Sequence, residues 1–85
     1  MNTIEYTIKD ELGIHARPAG ALVKEASKYK SDIKISKRDN TANLKKLFSL
    51  MGLNVKLNDT VKITADGEDE DEAINAIETF LKNNL

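Results

Sequence analysis

The period of the hydrophobic pattern changes repeatedly along this chain, and the succession of periods leaves few folds open. Ile4, Tyr6 and Ile8 alternate with Thr3, Glu5 and Thr7, which predicts a half-buried strand. Residues 9–14 read as a loop. From Ala16 the apolar positions are Ala19, Leu22, Val23, Ala26 and Tyr29, spaced by threes and fours, so an amphipathic helix of about three turns is expected. Ser31-Asp32 interrupts it, and Ile33 and Ile35 alternate with Lys34 and Ser36 in a second strand. The turn formers Arg38-Asp39-Asn40 send the chain back as a short third strand over Thr41–Asn43.

Leu44, Leu47, Phe48, Leu50, Met51 and Leu53 suit a short second helix with Gly52 near its end. After the turn at Asn58-Asp59, Val61, Ile63 and Ala65 alternate in a fourth strand that Gly67 ends. Glu68–Glu72 opens a third helix carrying Ala73, Ile74, Ile77, Phe80 and Leu81. Its acidic start and Lys82 in its last turn both complement the helix dipole. The order β-α-β-β-α-β-α is satisfied by an antiparallel four-stranded sheet with the helices on one face, a two-layer α+β sandwich. No linker, repeat or low-complexity stretch divides the chain, so residues 1–85 are expected to form one domain.

Composition removes several functions. With no cysteine there is no disulfide scaffold and no thiolate chemistry. One histidine without cysteine excludes the usual tetrahedral zinc set, and Glu68–Glu72 lacks the spacing of a calcium loop, so no metal is expected. No apolar run approaches the roughly 20 residues that span a bilayer, and Met1–Glu5 is unlike a signal peptide. A cytoplasmic protein with no membrane insertion is the expectation. The 13 basic and 14 acidic residues nearly balance, but they are unevenly placed. Lys24, Lys28, Lys30, Lys34, Lys37, Arg38, Lys45 and Lys46 make the middle basic, which favours an acidic protein partner over nucleic acid. Tyr6 and Tyr29 do not form a stacking platform for bases.

Gly13-Ile14-His15-Ala16-Arg17-Pro18-Ala19 holds the only histidine and the only proline, at the start of the first helix. With His15 as N-cap and Ala16, Arg17 and Pro18 as N1 to N3, the proline gives up an N–H the helix could not use. The amides of Ala16 and Arg17 then point outward at the positive helix end, where phosphate is favoured. An imidazole at that point can take a phosphoryl group covalently. The helix end and the Arg17 guanidinium both disfavour imidazolium, so a neutral, nucleophilic ring is expected at rest. Helix-end stabilisation of a charge is only about 0.3–1 kcal/mol, which suits a group held loosely and passed on.

The heptapeptide closely resembles the active-site segment of the HPr family, histidine phosphocarriers of the bacterial sugar phosphotransferase system, and the resemblance extends over essentially the whole chain. It implies an open-faced sandwich with strand order 1-4-2-3. It also implies phosphorylation of His15 at Nδ1, with Arg17 assisting and the Ala16 and Arg17 amides holding the phosphoryl group. Enzyme I would be the donor and the A domains of enzymes II the acceptors, in a stoichiometric relay by a monomer that is not an enzyme and needs no cofactor. Leu47, Phe48 and Met51, three and four apart, are expected to form an exposed docking patch, while Leu44 and Leu50 are expected in the core. Lys46 stands where relatives typically carry a regulatory serine, so serine phosphorylation there is expected to be absent. Leu12 replaces a residue that is often small and polar, and Gly20 flattens the first helix. A Crh-like regulatory module is the alternative, but that family keeps the serine and replaces the histidine, the reverse of this chain.

Overall fold

A computed structural model describes residues 1–85. Its elements are β1 (Asn2–Thr7), α1 (Ala16–Ala26), β2 (Asp32–Lys37), β3 (Asn40–Asn43), α2 (Leu47–Met51), β4 (Thr60–Asp66) and α3 (Glu70–Asn84). The strands pair antiparallel in one sheet of order β1-β4-β2-β3. Crossing from β1 through α1 to β2 leaves a gap that β4 later fills.

Register makes this sheet one-sided. Ile4 lies opposite Ile63, Ile63 opposite Ile35, and Ile35 opposite Ala42, so one apolar row crosses every strand. The next row reads Glu5, Lys62, Ser36 and Thr41 and faces water. Hydroxyl pairs link neighbouring strands, Thr7 to Thr60 at 2.8 Å and Ser36 to Thr41 at 3.0 Å. Over the apolar face α1 buries Ala19, Leu22 and Ala26, and α3 buries Ala73, Ile74, Ile77 and Leu81. Full burial of a side chain such as Leu22 or Ile77 stabilises the fold by about 1.5–3 kcal/mol. The two-layer α+β arrangement expected from the period changes is the one observed.

Several boundaries shift for physical reasons. Ile8 is buried just past β1, where its N–H bonds the Asp59 carbonyl and its carbonyl accepts from Asn58 N–H. Tyr29 lies beyond the end of α1 yet packs on the core. Leu44 is fully buried, but in the turn ahead of α2 rather than within it. In the β2–β3 hairpin Arg38 adopts φ +56°, a conformation ordinarily given to glycine.

α3 begins at Glu70 rather than Glu68, because Asp69 is diverted elsewhere. Its carboxylate makes no cap bond and reaches across to the chain before β2. There it accepts from Lys30 N–H at 2.9 Å, Ser31 N–H at 3.0 Å and the Ser31 hydroxyl at 2.5 Å. The Ser31 hydroxyl, followed by the Lys30 amide, pulls the Asp69 pKa from 3.8 down to about 2. A depressed carboxylate contributes stability that is present above its unfolded value and lost as pH falls through the folded one. Wild-type protein is thus expected to weaken between pH values of about 4 and 2. Urea midpoints should show the gap between wild type and Asp69→Asn closing over that interval; a constant gap would remove this contact from the acid response.

Candidate functional site

His15 caps α1 with φ −101° and ψ 177°, and its carbonyl accepts the first helical bond, from Ala19 N–H at 2.9 Å. Its side chain makes no capping bond, and the imidazole is 35% exposed. Ala16 and Arg17 are exposed, and their amides take no acceptor within the chain. Pro18 follows at N3, where it supplies no donor. Two unbonded amides and a partly exposed imidazole thus stand at one helix end, and Arg17 borders the same depression as His15.

The segment leading into the histidine is fixed by Gly13. At φ +66°, an added Cβ would sit 2.6 Å from Lys56 Cα and against the Val55 carbonyl. That close approach lets Ile14 N–H bond the same carbonyl at 3.1 Å and buries the Ile14 side chain. The loop receiving it is itself tied to β2, because Lys37 Nζ donates to Asn54 O at 2.8 Å and pairs with Asp59 at 2.9 Å. The Lys37 ammonium, with the Lys56 amide, holds the Asp59 carboxyl below its ordinary range.

Three residues join the site that periodicity did not reveal. Asp10 places Oδ2 3.7 Å from His15 Nε2 while Oδ1 accepts from Leu12 N–H at 2.9 Å. Phe80 and Asn84 arrive from the end of α3. With Asp10, His15, Arg17, Pro18 and Ala21 they line a shallow depression of about 260 Å³. That lies below the roughly 300–1,000 Å³ of typical small-molecule sites. A larger depression of about 450 Å³, between α1 and α3, excludes His15 and offers Glu25 as its sole titratable side chain. The sequence signal for Asp10 is turn chemistry, an aspartate two residues before a loop N–H. Helical spacing gives Phe80 only as an apolar position of α3, and Asn84 carries no local signal.

The second helix presents Phe48, 88% exposed, with Leu47 and Met51 partly exposed beside it, while Leu44 and Leu50 are buried. Lys46 is the exposed N-cap of α2 and makes no capping bond. Ser49 is engaged, its Oγ accepting from Asn43 N–H at 3.1 Å. Leu12 is exposed, and a side chain at Gly20 would meet nothing within 4 Å.

Residues 2–83 match the family described as PTS HPr component phosphorylation site. The phosphocarrier protein HPr of Mycoplasma pneumoniae is 45% identical over 83 residues, covering 96% of this chain and 94% of that one. The HPr of Mycoplasma genitalium is also 45% identical, over 85 residues, covering 99% of this chain and 97% of its own. Among solved structures, a mycoplasma histidine-containing phosphocarrier protein superposes with a TM-score of 0.94 at 39% identity, covering 96% of this chain and 93% of that chain. The chain belongs to the HPr family, the phosphocarrier proteins of the phosphotransferase system.

Proposed function

We propose that His15 is the phosphoryl acceptor of this chain, receiving its load from enzyme I and delivering it to the A domains of enzymes II. The observation that carries this reading is the partly exposed imidazole beside two unbonded amides at the start of α1. The Nδ1 lone pair attacks phosphorus and forms an N–P bond. The bond to the donor breaks, and its electron pair leaves with the donor. Delivery reverses these roles, with Nδ1 as leaving group. The Ala16 and Arg17 amides and the Arg17 guanidinium supply hydrogen bonds to the transferring oxygens. Their open setting keeps the load labile, which is what a stoichiometric carrier requires. No cofactor enters this scheme, and the chain acts as a carrier rather than an enzyme.

Incubation with phosphoenolpyruvate and enzyme I should yield an acid-labile, base-stable phosphohistidine at residue 15. Absence of label, with a control carrier labelled in the same mixture, would overturn the assignment.

Leu47, Phe48 and Met51 serve in this reading as the docking patch for both partners, in a relay that operates in the cytoplasm with the carrier as a monomer. No helix of the chain is long and apolar enough to cross a membrane. Leu47→Glu places a charge in the patch at a position that the core does not need. It should slow transfer by about tenfold at low partner concentration with little change in thermal stability. Unchanged kinetics would exclude the patch. Lys46 offers no hydroxyl, so serine phosphorylation has no acceptor at that position.

A further inference from the structure

The geometry points to Asp10 as a positioning residue that holds His15 in the tautomer needed for attack. The inference rests on the phosphoryl-acceptor role of His15. Asp10 is fixed on several sides. Its N–H donates to Leu85 O at 3.0 Å, its carbonyl accepts from Gly13 N–H at 2.9 Å, and Oδ1 accepts from Leu12 N–H at 2.9 Å. Only Oδ2 is left, and it faces His15 Nε2 at 3.7 Å. That separation is too long for a direct hydrogen bond, so the interaction in the unloaded protein is electrostatic.

A carboxylate is an acceptor only. Facing Nε2, it favours the ring form that carries its proton there and leaves the Nδ1 lone pair bare. When Nδ1 bonds phosphorus, no proton moves. The ring keeps its Nε2 proton and gains positive charge, which the Asp10 carboxylate offsets at the far edge. Arg17, the other charged side chain bordering the same depression, is a cation and cannot replace that acceptor. Asp10 thus acts through His15 and contacts neither phosphorus nor donor.

Asp10→Asn separates this role from a merely structural one. The amide oxygen still accepts from Leu12 N–H, so the turn is retained. The amide NH₂ then replaces Oδ2 opposite Nε2, and a donor there favours the Nδ1–H tautomer, which blocks the nucleophile. Ring ¹⁵N chemical shifts of the unphosphorylated protein should show the Nδ1–H fraction rising in Asp10→Asn. Asp10→Ser, which keeps a shorter turn acceptor and removes the ring contact, should lie between the two. Phosphorylation of Asp10→Asn by enzyme I should slow by about two- to fivefold, as befits a partly exposed charge contact. Ring shifts and rate both unchanged in Asp10→Asn would overturn the inference. The ¹⁵N measurement needs no partner, so failure to label wild-type His15 would refute the carrier reading separately.

Discussion

His15→Ala should remain folded and lose phosphoryl acceptance altogether. The imidazole makes no capping bond, and its ring is not packed into the core. The helix keeps its first bond through the residue 15 carbonyl. Removing the side chain should therefore cost less than about 1 kcal/mol of stability. The loss should be complete because no other histidine exists and no cysteine is present to substitute. Paired measurements decide the point: a thermal melt within a few degrees of wild type, and no acid-labile phosphate after incubation with phosphoenolpyruvate and enzyme I. Label on the variant would move the acceptor elsewhere and end the case for residue 15.

Gly13→Ala should show the largest loss of stability. Two costs combine at this position. A left-handed backbone disfavours alanine by roughly 1–2 kcal/mol. The new Cβ also falls 2.6 Å from Lys56 Cα and still nearer the Val55 carbonyl, where backbone atoms give way poorly. Crowding of this kind adds about 1–3 kcal/mol. A combined loss of about 3 kcal/mol lowers the melting temperature by roughly 12–24 °C for a domain of this size. Transfer from enzyme I should fall as well, since displacing Gly13 moves Ile14 and with it the entry to His15. A melting temperature within a few degrees of wild type would show that the loop yields easily.

The elements that local pattern could place are those whose burial repeats along the chain. Ile33 and Ile35, or Val61, Ile63 and Ala65, alternate because only one side of the sheet is covered. Patterning does not carry strand order, since apolar faces alone do not say that β4 enters between β1 and β2, an order that only the family likeness implies. Leu44 has a spacing that fits a helix, whereas the fold buries it in a turn. Asp69 read as part of a helical first turn, and its partners Lys30 and Ser31 lie far away in sequence. The same distinction applies at the candidate site. His15, Ala16 and Arg17 form a contiguous motif, while Asp10, Phe80 and Asn84 meet them only through folding. Arg38 shows the converse, a side chain tolerated where the turn alone would favour glycine.

The stretch ahead of His15 is pinned to three separate parts of the molecule. Lys9 and Asp10 donate to Leu85 O, Ile8 exchanges bonds with Asn58 and Asp59, and Ile14 holds Val55 O. On the proposed carrier role, a partner would meet the backbone of this segment already in place, and little ordering entropy would be subtracted from the encounter. Contact can then be brief and still productive. The pace of such a proposed shuttle would then depend on how quickly two surfaces separate, with no wait for a loop to settle.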